Sequence, residues 1–277
     1  MSYNNNEITE KVGIINGIEC IAENIYLYKI FIGDEPSPIP FYTIRLGILG
    51  QSLTRPYSPV NFSGGIIECI IKIYEEDRNK EMFTPQLKKL KEGSEIRVIW
   101  YIHKYSIYNT HSIISNNNDT VCNKLYNNNN TEYNNNSIIS NNYDTVCNKL
   151  YNNNNTEYNT ICMISAGTGI TPMLQLLNHN NPTNPNFIFI YVYNSNSQKI
   201  PLINHNITYY GIISNNIQHT DIISNIQDII RLIINKPVVY LVCGPDSFVY
   251  SISGERKGAY GGILKEMGVL EKDCYKL

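Results

Sequence analysis

The chain has 277 residues, longer than the roughly 100–150 of a common single domain, so two domains are expected. Hydrophobic residues make up 42%, enough for real cores, while charged residues reach only 17% against a usual share of about 25%. A formal charge of −2 and a pI of about 6.2 exclude a protein built mainly to hold nucleic acid.

Asparagine fills the compositional gap and is concentrated in one stretch. No apolar run approaches the ~18 residues that an integral membrane segment needs. The opening MSYNNNEITEK has neither an apolar signal core nor a Gly at position 2, so a soluble, intracellular chain is expected, cytoplasmic by default. The seven cysteines (Cys20, Cys69, Cys122, Cys147, Cys162, Cys243, Cys274) are odd in number and contain no CxxC pair. They give little support to a disulfide framework or a zinc site, and no metal is expected.

Through the first hundred residues, IYLYKIFI (25–32), FYTIRLGIL (41–49), IIECIIKIY (66–74) and SEIRVIWYI (94–102) read as strands. They are rich in Ile, Tyr and Val with turn residues between them. Closely spaced strands of this kind predict a small antiparallel β-barrel over 1–103. One helix is expected at TPQLKKLKEG (84–93), with Thr84 as its cap, Pro85 in its first turn and Gly93 as its stop.

Between 104 and 160 the character changes. SIISNNNDTVCNKLYNNNNTEY (112–133) recurs as SIISNNYDTVCNKLYNNNNTEY (137–158). Two Asn-rich copies cannot bury a continuous core, so a duplicated low-complexity insertion is expected, with Cys122 and Cys147 as passengers. Excising 106–158 is expected to leave a folded protein whose melting midpoint moves by no more than about 5 °C, because loop closure grows only logarithmically with length.

From 161 to 277 strands and helices alternate. ICMIS (161–165), FIFIYVY (187–193), ITYYGIIS (207–214) and VVYLVCG (238–244) are strand-like; TPMLQLLN (171–178) and IISNIQDIIRLIIN (222–235) are helix-like. This order predicts an α/β domain with a parallel sheet and its ligand at the C-terminal ends of the strands.

Three short segments carry chemistry. SAGTGITPMLQLL (165–177) is a Gly-rich strand-to-helix turn whose backbone N–H groups can approach a pyrophosphate, with Pro172 at the helix start. RPYSPVNF (55–62) offers a guanidinium for a phosphate, a ring to stack and a hydroxyl; alone it reads equally as a β-turn with a Pro at each end. In LVCGPDSF (241–248), Cys243 ends a strand at the ligand-binding edge, where a lone Cys is usually a small core residue.

Taken in this order, RPYSP, GTGITPM and CGP before a C-terminal aromatic resemble the ferredoxin–NADP reductase superfamily, most closely its NADH–cytochrome b5 reductase branch. The resemblance covers nearly the whole chain apart from the Asn-rich insertion. It implies an antiparallel FAD-binding barrel (1–103) followed by an NAD-binding α/β domain (161–277). The implied activity moves hydride from NADH, with NADPH possible, to FAD and then single electrons to a haem-protein acceptor such as cytochrome b5. It implies that Arg55, Pro56, Tyr57, Ser58 and Pro59 hold FAD, with Ser58 near the flavin N5. Ile71, Lys72, Tyr74, Phe83, Thr84 and Thr171 would line the same cofactor. Gly167, Thr168, Gly169, Ile170, Thr171, Pro172, Met173, Asn194 and Lys199 would bind NAD(P)H. Cys243, with Ser58 the implied catalytic pair, would set the nicotinamide ring together with Gly244, Pro245 and Tyr275.

The chain departs from that pattern at four places. Trp100-Tyr101 replaces a Gly-Pro turn, Glu81-Met82-Phe83-Thr84 replaces a Gly-Lys-Met-Ser phosphate loop, and the chain reads Tyr275-Lys276-Leu277 rather than ending in Phe. Lys199 stands where the family keeps an acidic residue toward the adenosine ribose. NSNSQKI (194–200) holds no carboxylate, so weakened discrimination between NADH and NADPH is expected. These departures keep open an alternative, a degenerate reductase fold acting as a non-catalytic binding or scaffold module. Lys88, Lys89 and Lys91 are a short basic cluster suited to an acidic haem protein, or simply a solvated face.

Overall fold

The computed structural model describes residues 7–33, 43–75, 82–102, 160–179, 186–201, 207–215 and 219–277. The Asn-rich repeat, Cys122, Cys147 and Glu81 lie outside the described residues, while Thr160 already opens a strand.

Among the described residues up to 102 are seven strands: β1 (Glu7–Ala22), β2 (Ile25–Phe31), β3 (Ile44–Gly47), β4 (Thr54–Tyr57), β5 (Asn61–Ser63), β6 (Ile66–Lys72) and β7 (Glu95–Ile102). They form one antiparallel sheet in the order β4-β3-β7-β1-β2-β6-β5. Its edges are β4 and β5, yet only residues 58–60 lie between them in the chain. A link that short spans at most about 14 Å, so the sheet must curl until its edges nearly meet, which gives a barrel-like half-closed wall. Ile15, Tyr28, Ile30, Leu46, Ile67, Ile71, Ile96 and Val98 fill its interior.

β1 is absent from the sequence expectation. Its charged residues and Gly13 and Gly17 hide a strand that pairs with β7 over Glu7–Ile14 and with β2 beyond it. A register shift between Ile15 and Gly17 lets one long strand serve both neighbours. At Gly13 a Cβ would stand 2.7 Å from Ile30 Cγ2, so only glycine lets the strand cross there.

The expected helix 84–93 is shorter: α1 covers Phe83–Leu87 and its cap position is Met82, with no side-chain cap. Thr84 lies inside the helix, and its Oγ1 accepts the Tyr74 N–H at 3.2 Å instead of capping. The remaining residues to Gly93, at φ +83°, make turns such as Leu90 N–H to Leu87 O.

The second sheet is parallel, in the order β10-β9-β8-β11-β12, with β8 at Thr160–Ala166, β9 at Asn186–Tyr193, β10 at Ile207–Ile213, β11 at Val238–Cys243 and β12 at Cys274–Lys276. Every residue of β8 is buried, as expected of a central strand covered on both faces. Helix α2 (Thr171–His179) packs on the face toward the barrel in a cluster that includes Ile25, Val60 and Ile70. On the other face lie α3 (His219–Arg231), α4 (Asp246–Ser253) and α5 (Gly262–Glu266). Ile222, Ile226 and Ile230 of α3 are buried at four-residue spacing, the stripe of a helix on a sheet. From β8 the chain runs outward through β9 to β10 and then returns to place β11 on the other side of β8. That reversal is a topological switch point, where α/β sheets leave a crevice.

Candidate functional site

Two turns meet at the switch point, one after β8 and one after β11. Gly167 adopts φ +55° with nothing within 4 Å of where a Cβ would stand, which leaves an open face. Residues Gly167–Ile170 form a 3-10 turn, and the Thr171 hydroxyl donates to Thr168 O at 3.1 Å. A Cβ on Gly169 would lie 2.6 Å from both Gly244 Cα and Gly244 N. Backbone cannot yield there, so the GTG and CGP turns touch only because residue 169 is glycine. Thr168 is half-buried, Pro172 is buried, and Ile170 and Met173 are fully enclosed. The side chains of Ile170 and Met173, expected at the nucleotide, lie in the core, so their backbone is what they can offer a ligand.

Cys243 is half-buried at the C-terminal end of β11. Burial pushes its thiol pKa above the ordinary value, while a charge and a hydrogen bond from Arg256 pull part of the way back. Arg256, which the sequence reading missed, donates to Asp246 Oδ1 at 2.9 Å and to the carbonyls of Gly244 and Leu277. It straps the CGP turn to Leu277, just past the strand β12 that carries Tyr275. Pro245 is exposed and precedes α4. Tyr275 pairs with Leu241 across β11 and β12 and is 7% exposed within the cluster shared with the barrel. Its ring is packed rather than open.

RPYSP is no isolated turn: Thr54–Tyr57 is the edge strand β4. Arg55 and Pro56 are exposed there, and Arg55 Nη1 donates to Thr54 O at 3.2 Å. Tyr57 packs on Phe83 with ring centroids 6.0 Å apart, and burial raises its phenol. Ser58 is half-buried and opens the link to β5. Two side chains of α2 pin that link: Gln175 Nε2 donates to Pro59 O at 2.7 Å and Asn178 Nδ2 to Val60 O at 2.8 Å. Neither was anticipated, although two amides in the apolar run TPMLQLLNH were the available signal. Ile71 is 1% and Phe83 2% exposed, and the side chains of both pack in the barrel core. Lys72 ends β6 with Nζ 3.0 Å from Gln198 Oε1 and 5.8 Å from the centroid of the Tyr74 ring, which is about half exposed.

At the end of β9, Asn194 and Lys199 are exposed. Lys199 Nζ stands 4.9 Å from the Tyr209 ring centroid and 5.9 Å from that of Tyr193, a cation over aromatic faces. The segment itself has no carboxylate, but one arrives from the barrel: Glu23, in the β1–β2 turn, accepts the Ser197 hydroxyl.

These residues fit the two implied groups. The open cradle at Gly167, with Gly169 pressed on Gly244, suits a pyrophosphate at a helix N-terminus. Exposed Arg55 and the Tyr57 ring at the barrel edge suit a flavin nucleotide.

No protein-family model matches the sequence. NADH-cytochrome b5 reductase 2 of Neurospora crassa is 28% identical over 140 residues, covering 42% of this chain and 40% of that protein. Its counterpart in Ajellomyces capsulatus is 30% identical over 139 residues, covering 42% and 43%. The chain thus spans less than half the length of the curated relatives it matches. Among solved structures, the CS-b5R domains of human Ncb5or (NAD+ form) superpose with a TM-score of 0.63 at 16% identity, covering 99% of this chain and 70% of that one. The cytochrome b5 reductase domain of Ulva prolifera nitrate reductase gives 0.61 at 14%, with 97% of each chain covered. A ferredoxin-NADP+ reductase from Plasmodium falciparum, an H286K mutant in complex with 2'P-AMP, gives 0.61 at 14%, covering 98% of each. With its curled antiparallel sheet followed by a parallel one, the chain has the ferredoxin–NADP reductase fold and counts NADH-cytochrome b5 reductases among its sequence relatives.

Proposed function

We propose that the chain is an FAD-dependent NAD(P)H oxidoreductase. Residues 1–103 hold the flavin, 161–277 hold the nicotinamide nucleotide, and electrons leave to a haem protein such as cytochrome b5. The observation that carries this reading is the meeting of three segments far apart in sequence. Gly169 touches Gly244, while Gln175 and Asn178, one and two turns further along α2, hold the Pro59 and Val60 carbonyls of the RPYSPV link. Such an arrangement supports a flavin site and a nicotinamide site lying edge to edge, and positioning of that kind lowers the barrier to a transfer step.

FAD, if held by Arg55, Tyr57 and Ser58, would supply the conversion of a two-electron hydride donor to single-electron transfer, chemistry that amino-acid side chains do not provide. The chain's own residues bind and orient. Arg55 offers a guanidinium to a phosphate, Tyr57 a ring held by Phe83, and Ser58 a hydroxyl at the start of the link. Gly167, Thr168 and Gly169 offer backbone N–H groups, Lys72 a second cation, and Cys243 a neutral thiol beside the nicotinamide. The names of the curated relatives support NADH as donor and a cytochrome b5-like acceptor, and exposed Lys88 and Lys91 suit an acidic partner.

The test is direct. The purified protein is expected to be yellow with a flavin absorption band that bleaches on anaerobic addition of NADH, and to reduce cytochrome b5 faster than a small-molecule acceptor. A colourless protein that does not take up FAD would overturn the reading and leave a non-catalytic binding module.

A further inference from the structure

We infer that Glu23, a residue of the barrel, reads the adenosine ribose of the nicotinamide nucleotide and selects the form without a 2'-phosphate. The inference rests on the oxidoreductase reading and deepens it. In a strand–turn–helix–strand unit with its pyrophosphate turn after the first strand, the ribose is read at the end of the second strand, where an acidic side chain bonds the 2'-hydroxyl and repels a 2'-phosphate. Here the first strand is β8, the turn is Gly167–Ile170 and the second strand is β9, so the reading position falls on Asn194–Lys199. That segment carries no carboxylate of its own, which from sequence alone predicts weak discrimination.

The fold fills the gap from elsewhere. The turn between β1 and β2 lies against this segment: the Glu23 N–H donates to Ser197 O at 2.7 Å, and the Glu23 carboxylate accepts the Ser197 hydroxyl. The Ser195 and Ser197 hydroxyls stand 2.8 Å apart, so a carboxylate and two hydroxyls form one exposed chain of hydrogen-bonding groups beside the end of β9. Two lysines of this junction are held in contacts with neutral groups. Lys199 lies over the rings of Tyr209 and Tyr193, and Lys72 bonds Gln198. The group at the end of β9 that meets a ribose is therefore a carboxylate flanked by two hydroxyls, which accepts from a diol and repels a phosphate. Because the carboxylate and the serines come from opposite sides of the junction between the two sheets, the specificity device is assembled only when the barrel and the parallel sheet are docked.

The experiment uses the full chain with FAD bound. NAD+ and NADP+ affinities are measured by titration calorimetry, and flavin reduction by NADH and NADPH by stopped flow, in the parent and in Glu23→Gln and Glu23→Asp. The parent is expected to favour the unphosphorylated form by at least about a hundredfold. Glu23→Gln should narrow that ratio at least about tenfold, mainly through tighter NADP+, and Glu23→Asp should retain most of it. A ratio unchanged in Glu23→Gln, or equal losses for both nucleotides as a purely structural contact predicts, would overturn the inference while leaving the oxidoreductase reading intact. A parent that binds neither nucleotide would overturn both.

Discussion

At Cys243 two opposing influences are visible in one side chain. Burial raises its pKa and Arg256 lowers it, with burial the larger, so the thiol stays protonated at neutral pH and presents a neutral, polarisable group at the strand end. Its reactivity is expected to be low: iodoacetamide at pH 7.5 should label exposed Cys20 well before Cys243, since the thiolate is the nucleophile. Cys243→Ala is expected to slow flavin reduction by about a hundredfold while FAD stays bound, because small misplacements of reacting atoms cost that much. A normal reduction rate with a lowered melting point would instead make the residue a packing group.

Helix α2 is one of the elements that couple the two halves, beside the Glu23–Ser197 and Lys72–Gln198 contacts. Its N-terminus follows the GTG turn, and its fully buried Gln175 holds the Pro59 carbonyl. Gln175→Ala strands that carbonyl and is expected to cost about 1–3 kcal/mol in urea unfolding. Asn178→Ala, at an exposed position, should cost less. Both should slow flavin reduction more than they weaken FAD binding, because they loosen the register between the flavin link and the nicotinamide turn. Gly169→Ala meets backbone rather than a flexible side chain. It should push the two turns apart and lower NAD+ affinity in a calorimetric titration by at least about tenfold, with FAD retained.

Across the whole molecule, the buried thiols and phenols predict how stability varies with pH. Cys274 is pushed from 9.0 up to about 12, and Tyr28 and Tyr191 from 10.0 up to about 12, chiefly by burial; Cys69 and Cys162 also move up. In each case the folded state holds the proton more tightly than the unfolded chain. Their contribution is therefore complete below pH 9 and is lost as the pH rises toward 12. Each buried thiol should subtract about 1.4 kcal/mol per pH unit in that window. A melting temperature that is flat from pH 7 to 8.5 and then falls steeply is the expected curve. A midpoint unchanged at pH 10.5 would show that these groups ionise freely in the fold.

Strands β8 to β11 and helices α2 and α3 were legible because their apolar runs are long and bounded by Gly, Asn and Pro, whereas the short β4, β5, β12, α4 and α5 were not read as elements; the GTG and CGP turns stood out because each needs glycine for backbone reasons. The barrel strands rich in Ile and Tyr were equally plain. β1 escaped because its polar face and two glycines break the alternation; α1 was overdrawn at its C-terminal end, where the chain turns after Leu87, and Thr84, read as its cap, takes the Tyr74 amide instead. Periodicity records which residues are apolar, not which partner a polar group finds. Local sequence therefore determined that an antiparallel β half precedes a parallel α/β half, and it marked the three motifs. Only the tertiary structure decided that Ile71, Phe83, Ile170 and Met173 point into cores, that Gln175 and Arg256 brace the turns, and that Glu23 supplies the carboxylate missing from 194–200. Each of those contacts joins residues distant in the chain, and packing, not spacing, brings them together.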